Sequence, residues 1–202
     1  MIFTRAGTER IIRYAFEYAR QHGHTKVMSA TKSNSLQYSM VFWDEVFSQV
    51  AADYPDIIHE QQLIDSLAAR FVSQPESLQV IVASNLFGDI LTDLGAAISG
   101  SLGLAPSANI NPQRRYPSLF QAIHGSAPDI AGKGIANPIA SIWSGQLLLD
   151  HLGEQEAADT LLRAIEEVLA AGQVRTPDLG GTATTRELGE AVRTRLRTNI
   201  AG

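Results

Sequence analysis

Cysteine is absent from the 202 residues, so the chain has neither a disulfide framework nor a thiolate metal site. That suits a reducing compartment, and a cytoplasmic location is expected. Long apolar runs are missing too, and no membrane span is expected. Charged residues make up only 18% of the chain with a net charge of −5, which gives no clustered basic face for nucleic acid. The arginines near the end (Arg186, Arg193, Arg195, Arg197) alternate with Glu187 and Glu190, as on a solvated helix. At the start, Met1 to Arg5 leads straight into an amphipathic pattern, without the apolar core and small-residue cleavage site of a signal peptide. No Gly-x-Gly-x-x-Gly follows a strand pattern, which argues against a Rossmann nucleotide site.

What is present is a globular composition, with 45% hydrophobic residues. Ile11, Ile12, Ala15, Phe16 and Ala19 recur at helical spacing, predicting a helix from Thr8 to Gln21 that stops before Gly23. A strand is expected at Lys26–Ala30, a helix at 36–52, a strand at Ile57–Glu60 and a helix at Gln62–Phe71. Val80-Ile81-Val82-Ala83 reads as a strand buried on both faces, and a helix from Phe87 to Ile98 follows it. This alternation predicts an α/β fold with at least a partly parallel sheet. Ser99–Pro117, rich in Gly, Ser, Asn and Pro, reads as a long loop, with a domain boundary near Gly100. After a strand at Leu119–Ile123 and a second Gly/Pro-rich loop, three helices are expected, at 139–151, 154–171 and 185–197.

Asp89 and Asp93 stand four apart at the start of a helix that follows a buried-type strand, so both carboxylates share one face. Two hard oxygen donors so placed suit Mg²⁺ or Mn²⁺. The competing explanation is the helix dipole, which favours acids in a first turn without any metal.

The segment Asn85-Leu86-Phe87-Gly88-Asp89-Ile90-Leu91-Thr92-Asp93-Leu94 closely resembles the metal-binding segment of the isocitrate/isopropylmalate dehydrogenase family of β-decarboxylating enzymes. Ala30-Thr31-Lys32-Ser33-Asn34 resembles that family's lysine motif. The run from His124 through Asp129 and Ile130 to Gly134-Ile135-Ala136-Asn137-Pro138 resembles its NAD-binding loop. Pro177-Asp178-Leu179-Gly180-Gly181 resembles its closing turn. Four motifs in family order span nearly the whole chain.

The resemblance implies a three-layer α/β/α architecture of the isopropylmalate dehydrogenase type rather than a Rossmann fold. Residues 1–100 would belong to the small domain, carrying dimerisation, metal and lysine functions; 101–202 would be the C-terminal part of the large, NAD-loop domain. It implies Lys32 as general base and Asp65, Asp89 and Asp93 as ligands of Mn²⁺ or Mg²⁺. Asn34, His124, Gly125, Ser126, Ala127, Asp129, Ile130 and Asn137 would bind NAD. Asp129 can accept hydrogen bonds from both hydroxyls of the adenosine ribose and repel a 2′-phosphate, which favours NAD over NADP. Family members are dimers in which the lysine and the Asp65-type acid are lent to the neighbouring subunit's site, so a homodimer with shared sites is the expected partner state.

The implied reaction is oxidation of a small 2-hydroxy diacid, with or without loss of carbon dioxide. Several segments look most like the branch acting on tartrate and D-malate, with 3-isopropylmalate as a second candidate substrate. Gln121-Ala122 departs from the family's usual Glu-Pro before the histidine. The family's substrate-clamping arginines and its tyrosine acid precede the lysine segment and have no counterpart here. The N-terminal half is therefore expected to be absent, and the chain alone is expected to be inactive. The competing readings are a truncated, non-catalytic dimer partner and a plain nucleotide-binding module.

Overall fold

The computed structural model describes residues 2–201. It divides into two compact units, one reaching Gly95 and the other starting at Ala96.

In the first unit, helix α1 (Arg5–Gln21) begins at Thr4, whose Oγ1 accepts from Gly7 N at 3.2 Å. Its apolar stripe, Ile12, Ala15, Phe16 and Ala19, is buried as the periodicity predicts. Strand β1 (Lys26–Thr31) lies in the middle of a three-stranded parallel sheet, between β2 (Ile58–Leu63) and β3 (Val80–Val82). Val27, Met28, Ser29 and Ala30 are all buried, as a central parallel strand requires. Helices α2 (Ser39–Ala51) and α3 (Ile64–Ser73) carry the chain from β1 to β2 and from β2 to β3, and α4 (Asn85–Ile98) leaves β3. Parallel neighbours need such crossovers. Met40, Trp43, Val46, Phe47 and Val50 of α2 join Ile12, Phe16, Val27 and Leu67 in one core.

The predicted elements are present with shifted edges. The helix expected from Leu36 starts at Ser39, because Lys32 O accepts from Ser35 N at 3.0 Å and Leu36 N at 2.8 Å and closes a turn first. The second strand continues to Leu63, since Gln61, Gln62 and Leu63 pair with Ser29, Ala30 and Thr31. Helix α3 therefore begins at Ile64 rather than Gln62.

In the second unit, β4 (Pro106–Asn109) and β5 (Leu119–Ala122) form an antiparallel pair. Ser99–Pro117, expected to be a long loop throughout, is instead partly regular. That stretch holds a 3-10 turn at Leu102–Leu104 as well as β4, in which Pro106 occupies the first strand position, where its missing N–H is tolerated. Helices α5 (Ile139–Leu152), α6 (Gln155–Ala171) and α7 (Thr185–Ala201) enclose a second core of Ile139, Ile165, Val168, Leu188 and Val192. Gly153 and Gly172 stop α5 and α6 in the left-handed conformation that favours glycine. Helix α7 opens with a capping box: Thr184 N donates to Glu187 Oε2 at 2.7 Å, and Glu187 N donates to Thr184 Oγ1 at 3.2 Å. Among the described residues, no helix is long and apolar enough to cross a membrane.

Candidate functional site

Parallel register builds the first part of the site. Thr31 of β1 pairs with Leu63 of β2, so the chain leaves both strands side by side at the C-terminal edge of the sheet. Lys32 is the next residue on one strand, and Asp65 is the second residue of the helix that begins on the other. Their side chains meet, Lys32 Nζ donating to Asp65 Oδ1 at 2.6 Å. The lysine is mostly covered, with 26% of its side chain exposed against 65% for the acid. The Lys32 ammonium holds the Asp65 carboxyl below the usual carboxylate range. Asn34, two residues beyond the lysine, is exposed in the turn.

Strand β3 pairs with β1 in the same parallel sense, Val82 opposite Ser29, so α4 departs from the same sheet edge. Asp89 and Asp93 lie on α4 and are both exposed. The helix starts at Asn85 rather than Phe87, and its first turn holds no acid. The dipole explanation therefore weakens, because that effect fades beyond the first turn. Leu86 and Ile90, also one helical turn apart on α4, are 47% and 50% exposed.

These carboxylates form two sets. Asp65 is engaged by Lys32, while Asp89 and Asp93 share a face of α4 by helical spacing. Among the described residues, no three His, Cys, Asp or Glu side chains come together to hold a metal ion. The donor chemistry of Asp89 and Asp93 suits a hard divalent cation, but two carboxylates leave most of an octahedral shell to be filled from elsewhere.

The second unit carries a separate candidate region, the loop from His124 to Asn137. Ala127 adopts a left-handed conformation, φ 43°, ahead of a 3-10 turn at Pro128–Ile130 that presents Asp129 to solvent. Gly132 and Gly134 follow with φ of 75° and 65°. A side chain built on Gly125, Gly132 or Gly134 would meet nothing within 4 Å, so the main chain here is open to close approach by a ligand. His124 and Ser126 are exposed, Ile130 is half-buried, and His124 Nδ1 lies 3.0 Å from Gly125 O. Gln121 is exposed on β5, opposite Ser107. This open, glycine-rich backbone beside a solvent-facing carboxylate fits a polyhydroxylated nucleotide.

Asn137 is different: it is buried, and both ends of its amide are hydrogen-bonded. Nδ2 donates to Asp178 Oδ2 at 2.9 Å, and Oδ1 accepts from Ile139 N at 2.9 Å at the start of α5. Ser101 Oγ donates to the same Asp178 oxygen at 2.5 Å. Burial works to raise the Asp178 carboxyl, but hydrogen bonding from Ser101 and Asn137 outweighs it and holds the group below its ordinary range. Motif reading finds the closing turn but misses Ser101 and the role of Asp178, because these contacts join residues 77 and 41 positions apart.

The profile of the isocitrate/isopropylmalate dehydrogenase family matches residues 1–192. A probable tartrate dehydrogenase/decarboxylase of Bacillus subtilis is 55% identical over 196 residues, covering 97% of this chain and 55% of that protein. D-malate dehydrogenase (decarboxylating) of Escherichia coli is 55% identical over 196 residues, covering 95% of this chain and 54% of its own length. Among solved structures, isocitrate dehydrogenase from Methylococcus capsulatus superposes with a TM-score of 0.93 at 44% identity, over 97% of this chain and 57% of that one. A β-decarboxylating dehydrogenase from Thermococcus kodakarensis, in its apo form, gives 0.86 at 36% identity over 99% and 57%. The chain thus spans about half the length of the curated relatives it matches. With its α/β architecture, its parallel sheet and this degree of identity, the chain belongs to the isocitrate/isopropylmalate dehydrogenase family.

Proposed function

We propose that this chain carries the lysine, metal and NAD elements of a dehydrogenase that oxidises a 2-hydroxy diacid such as tartrate or D-malate. The observation that carries the reading is the Lys32–Asp65 pair at the sheet edge from which the Asp89/Asp93 helix departs. The relatives named for tartrate and D-malate support the substrate class.

Asp65, Asp89 and Asp93 would hold Mn²⁺ or Mg²⁺, and Asp129 with the loop backbone from His124 to Asn137 would hold NAD. Once bound, the ion would supply Lewis-acid polarisation of the substrate hydroxyl and the nicotinamide a hydride acceptor. The chain's own part is positional and protic. Lys32 sits mostly covered at the sheet edge and takes the hydroxyl proton at Nζ. Asp129 accepts from the ribose hydroxyls and repels a 2′-phosphate, selecting NAD over NADP. That Asp65, Asp89 and Asp93 do not gather into one metal-holding group within a copy supports a site pooled from two copies, and the exposed Leu86 and Ile90 beside the α4 acids are the type of surface a second copy covers.

Coexpression with the N-terminal segment of the Escherichia coli D-malate enzyme tests the proposal. The copurified complex is expected to oxidise tartrate or D-malate with NAD and Mn²⁺, while the chain alone shows no turnover. Lys32→Met in the complex should lower the rate by about a thousandfold. A well-formed complex inactive on tartrate, D-malate and 3-isopropylmalate would sink the enzyme reading. It would favour a non-catalytic partner.

A further inference from the structure

The closing turn has no task in the reaction just described, yet its acid is one of the more heavily hydrogen-bonded side chains of the second unit. We propose that Asp178 is a positioning residue for the adenine-nucleotide half of the cofactor, acting through Asn137. This rests on the NAD reading of the His124–Asn137 loop.

Two distant segments converge on the Asp178 carboxylate. Asn137 Nδ2 donates to Oδ2 at 2.9 Å from the end of the cofactor loop, and Ser101 Oγ donates at 2.5 Å from the connection after α4. With Nδ2 fixed, Asn137 Oδ1 is turned onto Ile139 N at 2.9 Å, so one carboxylate sets both the loop's end and the start of α5. The packing leaves no slack around this knot. A side chain on Gly103 would come within 2.7 Å of Asn137 Cβ and 3.1 Å of Asp178 Oδ2. The turn bearing Asp178 is equally tight, since a Cβ on Gly181 would lie 2.0 Å from Arg175 O.

A second clamp grips the same stretch of loop. Thr185 N donates to Gly134 O at 2.8 Å, and Thr185 Oγ1 donates to Ala136 O at 2.5 Å. Residues 134–137 are thereby tied down at both ends, whereas Gly125, Gly132 and Gly134 face open space. The arrangement is a rigid rail beside an open cradle. It fixes the main-chain groups of the rail in advance, so that a nucleotide need not order them on binding.

The test measures AMP and NAD affinity of the full chain by calorimetry, together with amide hydrogen exchange. Asp178→Ala should weaken AMP and NAD by about tenfold, the loss typical of a hydrogen bond to a charged group. Asp178→Asn keeps an acceptor oxygen in place and should recover most of that affinity. In Asp178→Ala, exchange should quicken at Ile139 and across 134–137, while α6 and α7 keep their protection. Unchanged AMP affinity overturns the proposal, and so does a loss accompanied by faster exchange throughout α6 and α7, which marks a general structural role. An unaltered chain that binds neither AMP nor NAD removes the cofactor reading itself and this inference with it. That result is distinct from a chain that binds both nucleotides but is indifferent to residue 178.

Discussion

Trp43 and Ser29 show how one polar contact is housed in an apolar interior. Both are buried, and the indole Nε1 donates to Ser29 Oγ at 2.8 Å across the interface between α2 and β1. The serine hydroxyl sits on the central strand, where its other surroundings are apolar core. Trp43→Phe removes the donor and some volume, and should destabilise the protein by about 2–3 kcal/mol through the stranded hydroxyl and the gap. Adding Ser29→Ala should return about 1 kcal/mol of that, because an absent hydroxyl needs no partner. Urea unfolding of the single and double variants measures both quantities; a double variant no more stable than Trp43→Phe would mean that the hydroxyl is satisfied in some other way. Lys32, Asp65, Asp89 and Asp93 lie outside this core.

Helices here are delimited by local chemistry that can be tested one end at a time. The capping box at α7 joins Thr184 and Glu187 reciprocally, and Thr184→Ala should cost about 1 kcal/mol, read from the shift in thermal midpoint. Such signals explain why all seven helices and the three parallel strands are legible in the sequence: each rests on periodicity and on neighbours within a few residues. Strand β4 is not legible, since Pro-Ser-Ala-Asn has turn composition and becomes a strand only by pairing with β5, whose register partners lie ten or more residues away. The extension of β2 to Leu63 is hidden for the same reason, being fixed by the register with β1. In the site, motifs single out Lys32, Asp65, Asp89, Asp93 and Asp129, but not that Lys32 and Asp65 would touch within one copy. Nor do they reveal that the Asn137 amide is committed to Asp178 and α5.

Across the whole molecule, acid titration should weaken the fold in one direction. Arg20 holds Asp56, Lys26 holds Glu60, Lys32 holds Asp65, and the Thr184 backbone N–H and hydroxyl hold Glu187, each below its ordinary range. Asp178 joins them despite its burial. For a depressed carboxyl, the stabilisation is fully present above the unfolded value, near pH 4, and is lost as pH falls through the folded value. Urea midpoints should therefore be level between about pH 5 and 8 and decline below about 4; a midpoint that holds steady down to pH 3 would contradict this. Tyr54 acts at the opposite end. Burial and the Glu17 carboxylate raise its phenol, so its contribution is present below about pH 10 and is lost as pH rises through the folded value. The join between Lys32 and Asp65 also has a bearing on how defects combine. Because neighbouring strands tie the amine and the acid together in one chain, a copy donates both or neither. In an assembly of two copies with pooled centres, damage to that duo in one and to the α4 acids in the other would fall in the same centre. The opposite centre would be made wholly of intact parts, so two dead complexes, each formed with the N-terminal segment of the Escherichia coli enzyme and then mixed, would regain some turnover.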